Sequence, residues 1–557
     1  MTSSLQEEKK SVVRQYDATS SVEALELKRS GRKERYAPTE KISVIEVPNF
    51  PAMGKIAAFR FVEWVQKNSG GVVSLPTGKT PEHFIKWVTR IIERWETKEM
   101  QELLDRNGLD HGRPPDMRSL RFVQIDEFYP MDAQQHNSFN YYVNEFYLKG
   151  FGLKEENALL LNTTSLGLPP GKTMKEVFPG NVVDLTLRVR QTRTDLERLQ
   201  KDVINRVDEF CMEYETKIRQ MGGIGFFLGG IGPDGHIAFN VRGSSVYSVT
   251  RLTGTNYETQ AAAATDLGGI EVSRTRLVIT IGLATITYNP TATAIIIAAG
   301  EAKARIVQMA VENKKGPQEP ASVLQDLPNA RMYLTRGAAC LLVERRFEDF
   351  CSAQDVTPPM MEDVVTALAL SRRKALVDLR REDFEADRFA GELLRKTGRE
   401  PAELAEQTRA SVTGKIRKGL DPISHTTFLH TEPHHDDIML GYLAYIYHLV
   451  RDPTNQHYFA NLTSGFTSVS NSYYLSILRK LERKLEQGSL FSQLESGYFD
   501  RNDNVQRMED VYLYLDGAAS DSQEMKDEAE AHRLLRKTSL ACTRRTTSGH
   551  CATGCRR

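Results

Sequence analysis

The sequence has no surplus of charge. Its 73 Lys and Arg residues balance 73 Asp and Glu residues over 557 positions, with His counted as neutral. Nucleic-acid binding draws on a basic excess, and the composition offers none. Cysteine is scarce, with six in the whole chain. Cys211, Cys340 and Cys351 are scattered through the body, and Cys542, Cys551 and Cys555 crowd the end, so no disulfide framework is expected. A run of about 18 apolar residues, the length a membrane helix needs, does not occur. The first ten residues are polar and lack the apolar centre of a secretory leader. These absences predict a cytoplasmic protein with neither nucleic acid nor membrane as partner. What is present is a hydrophobic fraction of 40%, ordinary for a globular chain. The length exceeds one compact core, so two or more domains are expected.

The stretch from Phe226 to Asn240 is the most informative. Phe226-Phe227-Leu228 reads as a buried strand, Gly229-Gly230-Ile231-Gly232 as a glycine turn, and Asp234-Gly235-His236 as polar groups on a short loop. Glycine lets backbone N–H groups approach a ligand. An Asp two residues before a His can orient the imidazole. An isolated D-G-H is more often an ordinary turn, but here two further segments accompany it. Ser74-Leu75-Pro76-Thr77-Gly78-Lys79-Thr80-Pro81 follows the apolar pair Val72-Val73 and precedes a helical pattern. It can cradle a phosphate at a helix start; the plain alternative is a turn with Thr80 as helix cap. Its spacing is not that of a nucleotide phosphate loop, so ATP is not expected. Phe122 to Ile125 reads as a strand ending in Asp126-Glu127-Phe128-Tyr129. Consecutive side chains on an extended chain face opposite ways. One carboxylate can therefore enter a site while the other makes a structural contact.

Together these segments resemble the glucosamine-6-phosphate deaminase (isomerase) family over residues 40–345. The matching features are L-P-T-G-x-T-P at 75–81, D-E-[FY] at 126–128 with His136 and Ser138 following, and G-x-G-x-D-G-H-I-A-F-N at 230–240. Gly300-Glu301-Ala302-Lys303-Ala304 looks like the family's G-x-x-K-A segment. The related 6-phosphogluconolactonases share a D-G-H but usually continue T-A-S, whereas this chain continues Ile237-Ala238-Phe239-Asn240. The resemblance implies conversion of D-glucosamine 6-phosphate to D-fructose 6-phosphate and ammonium, without a cofactor. In that reading His236, oriented by Asp234, moves the proton that opens the sugar ring. Asp126 takes the proton from C2 and returns it at C1. Thr77, Gly78, Thr80 and Lys303 grip the phosphate. The family's usual Glu after the A-F-N is replaced by Val241, with no other acid before Glu258. A phosphate-gripping Arg has no clear counterpart, and the region reads Gln260 to Asp266. The resemblance, rather than any residue pattern, points to a homo-oligomer.

The strand and helix patterns predict an α/β fold, a mainly parallel sheet covered by helices on both faces. Strands are expected at 42–47, 120–125, 225–228, 276–281, 294–299 and 332–335, with the ligand beyond their C-terminal ends. Residues 1–40 form a charged lead-in, 41–345 the deaminase-like domain and 346–420 a helical connector. Residues 164–200, with Pro169-Pro170-Gly171 and Pro179-Gly180, read as an insertion, more in keeping with a surface loop than a lid.

Residues 421–557 read as a partial second α/β domain. Pro433-His434-His435-Asp436-Asp437 resembles the P-H-x-D-D motif of the PIG-L-like zinc deacetylases. That resemblance implies His434 and Asp437 as zinc ligands and Asp436 as the base that activates water. The family's third ligand lies in an H-x-x-H-like segment that does not occur here; His532 and His550 follow without the matching surroundings. The tail after Leu540 has no periodic pattern. A truncated or frame-shifted domain without deacetylase activity is expected. Two further readings share the first domain's residues: a related phosphosugar isomerase or 6-phosphogluconolactonase-like hydrolase, and a non-catalytic sugar-phosphate sensor.

Overall fold

The computed structural model describes residues 13–78, 80–267, 270–433, 436–462, 471–488, 490–499, 504–520 and 522–546. The chain divides into two units, Met1–Thr426 with Tyr447–Gln456, and Thr427–Ile446 with His457–Arg557.

The strands of the first unit are β1 (Ser43–Val47), β2 (Val72–Ser74), β3 (Arg121–Val123), β4 (Asp126–Tyr129), β5 (Ala158–Leu159), β6 (Phe226–Gly230), β7 (Arg251–Thr253), β8 (Leu277–Thr280), β9 (Thr293–Ala298) and β10 (Ala330–Thr335). Seven of them form one sheet in the order β1-β10-β9-β6-β2-β3-β5, and every pairing in it is parallel. The interior strand β9 is buried at all six positions, as its unbroken Ala-Ile-Ile-Ile run requires of a strand covered on both faces. Alternation along β6 sends Phe226 and Leu228 to one face and Phe227 to the other. On the first face lies the helix Phe50–Lys67, capped by Asn49, with Trp64 and Phe61 against Phe226. On the second lies the helix Asp195–Gln220, which presents Val203, Val207 and Ile218.

β4, β8 and β7 form a separate antiparallel sheet of three strands. This corrects two expectations. The apolar run at 276–281 does not join the parallel sheet. The run through 120–125 stops as a strand at Val123, and Asp126 opens a new strand instead of ending an old one. Gln124 causes the break. Its side chain donates to Asp126 O (2.9 Å) and accepts from Leu161 N–H (2.9 Å), so its polar end is spent within the bend.

The lead-in is part of this unit. Tyr16 is buried against Trp64, and its ring fills the space above Gly225, where a Cβ would lie 2.4 Å from it. The Tyr16 N–H donates to Thr291 Oγ1. Residues 164–200 carry Val177, Phe178 and Leu187 into the core. Beyond Val343, Thr357 caps a helix that Pro358-Pro359 open. Together with the helices Val343–Ser352, Arg388–Thr397 and Pro401–Leu420, it buries Phe350, Val365, Leu368, Leu393 and Leu404 in a cluster of their own.

The second unit carries β11 (Thr427–Glu432) and β12 (Gln456–Asn461) as a two-stranded sheet, and helices that gather Leu481, Leu490, Ala531 and Leu534. Among the described residues, no helix is long and apolar enough to cross a membrane.

Candidate active site

The strands that carry the sequence motifs are neighbours. β9, β6, β2 and β3 are consecutive in the sheet, and the chain leaving the C-terminal end of each contributes to one cavity of about 270 Å³. Thr77 and Thr80 come from the loop after β2, Asp126 from the continuation of β3, His236 from the loop after β6, and Lys303 from the turn after β9; all five line this cavity. It lies beyond the carboxyl ends of parallel strands, where open α/β sheets bind ligands.

The loop after β2 is held from outside. The Tyr142 hydroxyl donates to Gly78 O at 3.0 Å, and the Tyr147 hydroxyl donates to Pro76 O. Gly78 adopts φ +78°, a left-handed conformation suited to glycine. It stands in this loop but does not line the cavity. The helix Glu82–Glu93 begins at Pro81 without any side-chain cap. Thr80 therefore does not cap it and faces the cavity instead. Lys79 lies outside the described residues. Lys303 Nζ donates to Ile231 O at 2.9 Å. Burial lowers the Lys303 pKa, while the Asp234 charge opposes that shift.

Asp126 and Glu127 divide the work that their alternation allows. Asp126 lines the cavity. Its pKa stands well above the usual carboxylate range because of burial and, next, the Glu127 charge. Glu127 is buried and accepts from Ser138 Oγ (2.6 Å) and from the N–H groups of Asn140 (2.7 Å), Phe128 (2.9 Å) and Phe139 (3.3 Å). Burial raises its pKa to about 7 against the pull of those bonds. Ser138 thus supports Glu127 and caps the turn Phe139–Tyr142. His136 is exposed and meets only the Tyr141 edge among aromatic rings.

His236 Nδ1 lies 2.5 Å from Asp234 Oδ1. Asp234 does not line the cavity. Its second oxygen accepts from the Arg242 N–H (2.9 Å) and the Asn256 amide (2.6 Å). Burial works to raise the Asp234 pKa, but the bonds from His236, Arg242 and Asn256 prevail and hold it well below the usual carboxylate range. The carboxylate is therefore anionic across ordinary pH. Gly232 lies flat against the imidazole, with a built Cβ only 2.0 Å from Cε1. Ala238 takes φ +50°, a strained backbone for a residue with a side chain, two positions past His236. The aromatic rings of Phe128, Phe139 and Phe239 close the remaining wall.

Two residues outside the motifs join this centre. Asn256 and Thr259 stand 22 and 23 positions from their partners, Asp234 and His236. Nothing in the local sequence marks them. Val241 is half-buried and Glu258 is exposed, and neither lines the cavity. Arg251 bonds Asn240 Oδ1 at 2.9 Å, away from the cavity lining. Among the described residues that line the cavity there is no arginine.

In the second unit, His434 lies outside the described residues. Asp437 opens the helix Asp437–Val450. His430 is engaged by the Tyr442 hydroxyl (3.0 Å) and by His457 Nδ1 (2.9 Å). Among the described residues, no group of three or more His, Cys, Asp or Glu side chains could hold a metal.

This fold and cavity define an α/β protein with a paired acid and imidazole at the strand ends. A glucosamine-6-phosphate deaminase of Clostridium perfringens (strain 13 / Type A) is 24% identical over 299 residues, covering 54% of this chain and 99% of that protein. One from Rhodopirellula baltica is 37% identical over 157 residues, 28% of this chain and 61% of its own length. The glucosamine-6-phosphate isomerase of Candida albicans is 38% identical over 136 residues, 24% of this chain and 54% of its own length. A solved monomeric glucosamine-6-phosphate deaminase superposes with a TM-score of 0.39 at 22% identity, over 54% of this chain and 99% of that chain. No family model matches this chain. Over about 54% of its length, the chain is similar to glucosamine-6-phosphate deaminases. The deacetylase resemblance of the C-terminal segment rests on its sequence motif alone.

Proposed function

We propose that the first unit converts D-glucosamine 6-phosphate to D-fructose 6-phosphate and ammonium. The observation that carries this reading is the convergence of Asp126, His236, Thr77, Thr80 and Lys303 on one cavity. His236 moves a proton between the ring oxygen and O1 as the sugar opens, with Asp234 holding its Nδ1 side. Asp126, ionised, takes the proton from C2 while a proton settles on the carbonyl oxygen at C1. Returning that proton to C1 leaves an iminium at C2. Water adds there, ammonia departs, and the 2-ketose remains. The hydrogen moves as a proton within one substrate, so the chemistry calls for no redox cofactor. A raised pKa suits Asp126 to both halves of the transfer, since a base must also give its proton back. Thr77, Thr80, Lys303 and the loop of Gly78 bind the phosphate away from the reacting carbons, which contributes binding energy to the chemical step.

The test is incubation of the purified chain with glucosamine 6-phosphate, measuring ammonium and fructose 6-phosphate together. Equal release of both, abolished by Asp126→Asn, is the expected result. Neither product, with the sugar phosphate still bound, would favour a sensor, the reading to which the lack of arginine among the described lining residues and the Val241 replacement lend support. The C-terminal unit is proposed to have no deacetylase activity. Zinc-dependent release of acetate from an N-acetylglucosamine compound would overturn that.

A further inference from the structure

His236 has a second polar partner on the same nitrogen that Asp234 holds. Thr259 Oγ1 lies 3.2 Å from Nδ1. Thr259 comes from the helix Tyr257–Leu267, is 2% exposed, and lines the cavity that also contains Asp126. Asn256 joins the two partners. Its side-chain carbonyl accepts the Thr259 N–H at 3.0 Å, and its amide donates to Asp234 Oδ2 at 2.6 Å. Asp234, Asn256, Thr259 and His236 thus close a ring of polar contacts.

An anionic Asp234 at 2.5 Å requires the proton on Nδ1. Thr259 Oγ1 then shares that proton as an acceptor, and its own hydrogen remains available to the cavity. With Nδ1 engaged twice, Nε2 is left to exchange protons with a ligand. One partner alone would let the ring pivot about that single bond. A second acceptor from another element, with Gly232 flat against the ring, removes that freedom.

We propose that Thr259, tied to Asp234 through Asn256, is a positioning residue that fixes the tautomer and ring orientation of His236 for sugar-ring opening. This inference rests on the deaminase reading above. The experiment compares wild type, Thr259→Val and Thr259→Ser in the ammonium-release assay across pH. Val keeps the shape and removes the hydroxyl; Ser keeps the hydroxyl. For Thr259→Val the expected result is a kcat lower by roughly 10- to 100-fold, since a displacement of a reacting group by about 1 Å can cost about 10²-fold. KM stays nearly unchanged, and the pH profile of kcat is displaced. Thr259→Ser retains most of the rate and the wild-type pH profile. Folded Thr259→Val with wild-type kcat and pH profile would overturn the proposal. So would a Thr259→Ser loss as large as that of Val, because it would assign the effect to methyl packing. If Thr259→Val does not fold, Thr259→Ala is read by the same criteria. A wild type that releases no ammonium refutes the deaminase reading itself. An active wild type with indifferent Thr259 variants refutes this inference alone.

Discussion

Asp126 and Glu127 are neighbours on one strand and serve opposite sides of it. Asp126 borders the cavity, while Glu127 is enclosed by the Ser138 hydroxyl and three backbone N–H groups. Burial raises the cost of ionising both, the Glu127 charge adds to it for Asp126, and Glu127 has donors that offset part of its own.

Asp126→Asn is expected to lower kcat by about 10²–10⁴-fold, the range for losing a general base, with folding intact. The same variant should melt higher than wild type at pH 8. The Asp126 pKa is raised on folding. Its stabilising contribution is full below the unfolded pKa and is lost as pH rises through the folded pKa. An Asn pays no such penalty. The gap in Tm between variant and wild type therefore widens upward from about pH 4. Thermal melts at pH 4, 6 and 8 check it, and a gap that narrows with pH would contradict the assigned direction.

Glu127→Gln should destabilise the unit by about 1–3 kcal/mol, since an amide NH₂ would face N–H donors that now meet a carboxylate oxygen. Urea unfolding at pH 8 measures this. Near pH 5 the loss should grow, because the carboxyl, with its pKa raised to about 7 on folding, stabilises wild type most at low pH and loses that contribution as pH rises, whereas Gln does not titrate.

Gly232→Ala removes the surface on which His236 rests. A methyl 2.0 Å from the imidazole Cε1 must displace the ring. Activity should fall at least about 10-fold through kcat, while the far-ultraviolet circular dichroism stays that of wild type. A fully active Gly232→Ala would show that the ring position is not needed.

Lys303→Met tests the phosphate grip. Loss of a charge-assisted bond of about 1.5–3 kcal/mol raises KM by roughly 10- to 150-fold, with a smaller change in kcat. Because the Lys303 pKa is lowered, wild-type KM should climb on the alkaline side before an exposed lysine would lose its charge. In Lys303→Met that climb should vanish.

The parallel sheet was legible wherever burial on both faces produced an unbroken apolar run, as in Ala294 to Ala298. β4 was not, because the sequence around Phe122 and Phe128 is apolar on both sides of Gln124, and only the tertiary bonds of Gln124 show that two sheets meet there. The site's chain-local members were readable from glycine and charge patterns. Thr80 was ambiguous between cap and ligand because either role uses a hydroxyl before a helix. Asn256 and Thr259 were out of reach, since their meaning lies in partners more than 20 residues away. The insertion's apolar residues were visible, yet its place in the core depended on a surface supplied by the helix Asp195–Gln220.

The bond from Tyr16 to Thr291 spans 275 positions, and Asn289 also reaches back to Arg14 O at 2.7 Å. A ribosome adding about 5–20 residues per second separates the two ends by roughly 14–55 s. Tyr16 therefore leaves the exit tunnel long before its seat exists. The unit cannot zip up from its beginning as it is made. Its first aromatic residue is enclosed only once the residues near Thr291 have emerged, so closure of the N-terminal strap is a late step in folding of this unit even though much of the chain is still to be made.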